Sequence, residues 1–364
     1  MKKTAALILA AALLLGCLAV AQADTVVIGN TSAPVPVKDS YPDNPVVEGE
    51  NPFTGLPASG EPFTPVLLVL GPPDYEPFWG HGDADILFQV PNQGAGSTKE
   101  MALFADVYPR SSGGSRSARM TMLPFANAFD SAFASGAYPP LNDESKINVK
   151  YWISKWGYNK NGKYYNLLGN YFKERINEVN GYPKRDSANL GFLVQQAHQD
   201  MIDKNVPFEV RPFRFADEAL DHGDAAPSFS MTYFGNQDRL AARTDRPESN
   251  CSFTWQEGTG YSKRGTNGIM YDLASSDEIH FANVIVLWTD YDFEGGYYGL
   301  KNFFVGSGQA DIFQNGKHIT GAWVRTDLFG RLILVDDSGE ELKLQRGKTF
   351  FLVSNQTNEL RIEE

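Results

Sequence analysis

The sequence predicts an α/β or α+β N-terminal domain followed by a mainly antiparallel β C-terminal domain. Three observations carry this. Between residues 64 and 205, short apolar runs are interleaved with stretches whose apolar residues recur at helical spacing. From about residue 228 the helical stripes stop, and short alternating runs separated by turn residues take over. The chain of 364 residues is 42% hydrophobic and 13% aromatic, enough for two cores of ordinary size.

Residues 1–23 read as an export signal. Lys2 and Lys3 precede an apolar run of 17 residues, Thr4 to Val20, at the lower limit for spanning a bilayer. Ala21–Gln22–Ala23 before Asp24 offers a small-x-small cleavage site. Two processing routes are open. Cleavage after Ala23 gives a secreted body. Alternatively, "LLGC" (14–17) reads as a lipobox, and Cys17 becomes the lipidated first residue. Either route keeps Cys17 from pairing with Cys251, so no intramolecular disulfide is expected. Cys251 itself reads as a buried small hydrophobe. Residues 24–50 carry prolines at 34, 36, 42 and 45 without any period, which predicts an extended linker.

The N-terminal domain is expected over 51–227. "TPVLLVLG" (64–71), "DADILFQV" (83–90) and "MALFADVY" (101–108) are strand-like. "ARMTMLPFANAFDSAFASG" (118–136) predicts a helix, bent or restarted at Pro124. Tyr165, Leu168, Phe172, Ile176 and Val179 form one stripe at helical spacing, as do Leu190, Leu193, Val194, Ala197 and Met201.

The C-terminal domain is expected over 228–364, separable near 225–230. Its runs include "SFSMTYF", "CSFTW", "NVIVLWTDY", "HITGAWVRT" and "TFFLVS". "NG" (315–316) fits a two-residue type I′ hairpin and "DDSG" (336–339) a longer one.

"NPFTGLP", "DADILFQV", "GSTKEMALFADV" and "GGSRSAR" occur in that order in the first domain. "GTNGIMYD", "NVIV", "FVGSGQADIF", "NGKHITGAW" and "LKLQRGKTFFLV" follow in the second. In this ordered set the chain resembles the YerB-like lipoproteins of Gram-positive bacteria, over most of residues 51–355. The resemblance implies their two-domain architecture and an extracytoplasmic location. It implies no reaction, because the family is one of unknown function. Three departures matter. Gln89 stands where the family carries an acidic residue. Thr98–Lys99 stands for its Thr-Arg pair. The family's Ala-Pro-His-Asn segment is replaced near "RDSANL" (185–190), without the histidine. The departures imply a member that binds rather than catalyses.

Charge narrows the partners. The chain carries −12, and without Lys2 and Lys3 its 30 basic residues face 44 acidic ones, a net −14. Such a body is repelled by nucleic acid and by anionic headgroups, so membrane contact is expected only through a lipid anchor.

Against that background, Arg116 and Arg119 sit behind Gly113–Gly114 in "GGSRSAR". A helix or tight turn starting near Ser115 would put both guanidiniums on one face and aim backbone N–H groups at the same point. With Ser117 as a donor and Lys99 nearby, this predicts a corner for a small anionic ligand or envelope component. The competing reading pairs the arginines with internal carboxylates, Asp83 or Asp85, as a structural clasp.

Other motifs point away from cofactor chemistry. "GAGSTKE" (94–100) lacks P-loop spacing. "TDYDFEGG" (289–296) starts like a calcium loop, but Lys301 occupies the position of the bidentate Glu. The histidines at 81, 198, 222, 280 and 318 show no zinc spacing. The expected role is a non-catalytic envelope binding or scaffold protein with no cofactor. The alternative is an envelope enzyme acting on a phosphate-bearing or peptidoglycan-derived substrate, with Asp83, Asp85 or Lys99 assisting the arginines.

Overall fold

The computed structural model describes residues 25–27, 29, 33–93, 96–141, 144–169, 172–218, 221–235, 245–294 and 296–363. The export signal expected over residues 1–23, with Cys17, lies outside the described residues. Among those described, no helix is long and apolar enough to cross a membrane.

Two sheets dominate. In chain order, the strands used below are β1 (Val66–Val69), β2 (Ile86–Pro91), β3 (Thr98–Phe104), β4 (Ala132–Ser135), β5 (Tyr164–Asn166), β6 (Ser228–Thr232), β7 (Cys251–Gln256), β8 (Gly260–Gly265), β9 (Asn283–Trp288), β10 (Gly306–Gln314), β11 (Lys317–Arg325), β12 (Thr349–Ser354) and β13 (Glu359–Glu363). The larger sheet has eleven strands. Its path runs from Asp224–Ala225 through β11, β10, β9, β12, β2, β3, β1 and β4 to β5, with Ile333–Val335 attached to β11. The smaller, seven-stranded sheet is built around β13, β6, β7 and β8.

The larger sheet crosses the expected boundary near 225–230. β12 lies parallel to β2 on one side and to β9 on the other, placing Phe351 opposite both Phe88 and Ile285. Both faces are covered. Leu67, Phe88, Leu103 and Phe351 pack into one core, and Leu68, Leu87, Phe104 and Phe350 into another, shared with Phe229, Phe253 and Phe281 of the smaller sheet. Burial on two faces explains why β1 reads as an unbroken apolar run, and β2 as one interrupted only by the buried Gln89, rather than as alternating strands.

The first half is poorer in helix than expected. The 118–136 helix shrinks to Leu123–Ala128, with Pro124 in its first turn, where a missing N–H is tolerated. Residues 132–135 of the same stretch form β4 instead, paired parallel with β1. The stripe over 164–179 is not a helix. Tyr165 is buried on β5 and Leu168 is exposed, so the two share no face. β5 is recruited instead by parallel pairing with β4. The last stripe is a helix over Val194–Asp203 that buries Val194, Ala197, His198 and Met201.

The turn chemistry of the second half is as expected. Asn315 and Gly316 have φ of 53° and 70°, the left-handed pair a type I′ turn requires, and they join β10 to β11. The proline-rich stretch is extended but held against the body. Lys38 pairs with Glu340, Asn44 Nδ2 donates to the Pro212 carbonyl, and Tyr41 packs against the small cluster of Ala322, Val324, Ile333 and Val335. Cys251 is a buried free thiol, pushed up to about 12 mainly by burial.

Candidate functional site

Residues 113–120 run extended, not as a helix or a turn. Arg116 N donates to the Val69 carbonyl at 3.2 Å, Gly136 N to the Arg116 carbonyl at 2.9 Å, and Ala118 N to the Ala137 carbonyl at 2.7 Å. The segment is threaded between the end of β1 and residues 136–137. The glycine pair serves close approach rather than a reversal of direction. A Cβ on Gly113 would lie 2.5 Å from the Trp79 ring, and one on Gly114 would lie 2.3 Å from the Ala188 carbonyl oxygen.

β3 supplies the next cation. Strand alternation sends Met101 and Leu103 to one core and Ala102 and Phe104 to the other, so Lys99 and Glu100 leave β3 in opposite directions. Lys99, only 4% exposed, donates from Nζ to the Ser117 carbonyl at 2.6 Å. Arg119 donates from Nη1 to the carbonyls of Ser117 (3.2 Å) and Ala118 (2.8 Å), and from Nη2 to Gln93 Oε1 (2.7 Å). Its guanidinium lies 5.1 Å from the Tyr297 ring centre, and its Nε has no partner among the described residues. Arg116 donates to the Ser187 carbonyl at 2.9 Å and shares the Tyr75 ring with Arg185.

The structure therefore brings together Lys99, Arg116, Ser117 and Arg119. Every hydrogen bond of the three cations goes to a neutral oxygen, and among the described residues none has a carboxylate oxygen within 4.0 Å. The electrostatics match. Burial, then repulsion from Arg119 and Arg116, holds Lys99 well below its ordinary range. Burial lowers Arg119 to about 10.

Asp85 is not part of this corner. It accepts from Asn51 Nδ2 and from the Ala105 N–H, both at 2.7 Å, and so anchors the loop that begins "NPFTG". Burial raises it to about 6. Asp83 lines a separate cleft of about 580 Å³ between the two halves, with Trp79, Arg110, Asp272, His280 and Lys348. The clasp of arginines to Asp83 or Asp85 is not formed.

A pocket of about 130 Å³ opens beside Arg116, lined by Ser115, Ser117, Arg175, Asp186 and Ser187. Gln93, Tyr297 and Tyr75 were not foreseen. Tyr297 arrives from the other half, and no local pattern marks it. Where the histidine-bearing segment was expected, the Ser187 carbonyl meets Arg116 and Asn189 Oδ1 accepts from Arg175. "GAGSTKE" runs from the loop after β2 into the start of β3, with Thr98, Lys99 and Glu100 on the strand, and its Gly94 and Ala95 lie outside the described residues. In the calcium-like stretch, Asp290 pairs with Lys301 at 2.9 Å and Asp292 lies 3.9 Å from Lys146.

The fold and the corner can now be set beside known proteins. The chain belongs to the DUF3048 family, proteins of unknown function. The family's N-terminal domain matches residues 53–182 and its C-terminal domain matches 242–351. It is similar in fold to the crystal structure of YerB protein from Bacillus subtilis, with a TM-score of 0.67 at 19% sequence identity, covering 85% of this chain and 99% of that one. No curated protein matches the chain.

Proposed function

We propose that this is an extracytoplasmic cell-envelope protein that binds or scaffolds rather than catalyses, and that Lys99, Arg116, Ser117 and Arg119 hold a small anion. The observation that carries the reading is that, among the described residues, no carboxylate oxygen lies within 4.0 Å of the three cations. A buried ammonium and a buried guanidinium side by side are costly unless something negative completes them. A bound oxyanion would complete them, accepting from Nζ, from the unpartnered Arg119 Nε and from the arginine forks. The net charge of the body favours a small anion over a polyanion. Export by the leader, with or without lipid on Cys17, is part of the same proposal.

The enzyme reading needs a base beside the arginines. Of the groups expected to assist, Asp83 and Asp85 lie elsewhere, which leaves that reading only Lys99 and the Asp186 that lines the pocket beside Arg116. Thermal denaturation of the full chain with phosphate, pyrophosphate or muropeptide, at matched ionic strength, tests the proposal. It expects a rise in Tm with at least one of these anions. No shift with any of them would retire the site.

A further inference from the structure

On the opposite side of β3 from Lys99 sits a second buried charge cluster that bridges the two halves. Lys263, on β8, is 0% exposed, Glu100 is 1% exposed and Glu76 is 6% exposed. Lys263 Nζ lies 2.5 Å from Glu100 Oε1 and 2.7 Å from Glu76 Oε1. The Phe350 ring centre is 5.4 Å from the same nitrogen. Three ionisable groups are thus in mutual contact inside an aromatic core, with an amine touching a carboxyl group.

We propose that Lys263 and Glu100 condense to an amide, a covalent cross-link between the two halves of the chain, with Glu76 carrying the protons. In its reactive state the site holds one proton beyond the ordinary ionisation pattern. Burial and the neighbouring Glu76 push Glu100 well above its ordinary range, toward the neutral acid, whereas Glu76 is lowered, helped by Lys263 and by its interaction with Glu100. The two carboxyls hold Lys263 above its usual range. The reaction begins with transfer of a proton from the Lys263 ammonium to the Glu76 carboxylate, an uphill step because both groups are held in their charged forms. The free amine attacks Cδ of Glu100, forming the N–C bond. The nitrogen passes a second proton to Glu76, which delivers one to the departing Glu100 hydroxyl. The Cδ–O bond breaks and one water leaves. The product is a secondary amide beside a protonated Glu76, and no oxidant or other reagent is consumed.

Two features of the site promote this chemistry. In water, an amine and a carboxylic acid are trapped as ions, and here burial pushes the Glu100 acid toward its neutral, electrophilic form. Fixed contact replaces a bimolecular encounter by an effective concentration on the order of 10⁵ M or more in well-aligned cases. The bond would close a loop of 163 residues in a chain where Cys251 is the one cysteine among the described residues.

Peptide mass spectrometry of the unfolded, trypsin-digested full chain is the test, because it does not depend on how the leader is processed. Trypsin cuts after Lys99 and Arg110, releasing Glu100–Arg110. In the wild type this peptide is expected joined to the one that contains Lys263 and ends at Arg264, one water lighter than the sum of the two. Recovery of Glu100–Arg110 wholly unlinked from folded wild-type protein would overturn the proposal. Lys263→Arg should abolish the linked species. Glu76→Gln should abolish or greatly slow its formation while circular dichroism remains native. Linkage in folded Glu76→Gln protein at the wild-type level would overturn the proton-carrying role.

Discussion

Lys99 Nζ donates to the backbone carbonyl of Ser117 at 2.6 Å, and no carboxylate accompanies the contact. A buried lysine held by one neutral oxygen, with Arg119 and Arg116 close enough to repel it, is poor architecture for stability alone.

Replacing it should therefore cost little. Lys99→Met keeps the length and apolar stem and removes the buried charge, while the Ser117 carbonyl retains Arg119 Nη1 as a donor. The expected change in unfolding free energy lies between none and a gain of about 1 kcal/mol. Anion-dependent stabilisation should disappear at the same time. Chemical denaturation with and without pyrophosphate measures both. A loss of several kcal/mol would mark Lys99 as structural.

Anion affinity should fall as pH rises. Burial, then the neighbouring Arg119 and Arg116, hold Lys99 in the folded state well below its ordinary 10.5. A bound anion favours the charged form, so between the free and bound pKa values binding takes up a proton and weakens as protons become scarce. The stability of the free protein moves the other way. Between the folded pKa and 10.5 the unfolded chain binds more protons, so stability rises with pH there. Titrations from about pH 7 to about pH 9 should show weaker binding at the upper end, and a flatter profile in Lys99→Met. An unchanged affinity in the wild type would contradict the assignment.

The halves should not fold apart. β12 is flanked by β9 and β2, so a chain of residues 228–364 exposes the β12 edge and the apolar side chains that β2 covers. Expressed alone it should aggregate, and expressed with the first half it should be rescued. Size-exclusion chromatography and circular dichroism read the outcome. A soluble, native-like fragment would show that the shared sheet is dispensable.

What was legible in the sequence follows from where the determining contacts lie. The second half's hairpins were readable because Asn315 and Gly316 impose their turn locally. The stripe over 164–179 misled because its aromatic spacing matches a helix, whereas the edge of β4, distant in the chain, decides the conformation. The same holds at the corner. Arg116, Arg119 and Lys99 were noticed as basic groups in an acidic chain. Gln93, Tyr297 and Ser187 were invisible because the fold alone delivers them. Asp85 was misplaced because the bend just before β2 turns it toward Asn51 and the Ala105 N–H rather than toward the arginines.

The claim that these cations form a binding site is tested most directly by isothermal titration calorimetry of pyrophosphate into the full chain, its Arg116→Ala variant and its Arg119→Ala variant. The account predicts a single site in the wild type, weakened in each variant by about 1.5–3 kcal/mol for a lost charge-assisted hydrogen bond, roughly 10- to 100-fold in affinity. No measurable binding to the wild type, or equal binding in all three proteins, would contradict it.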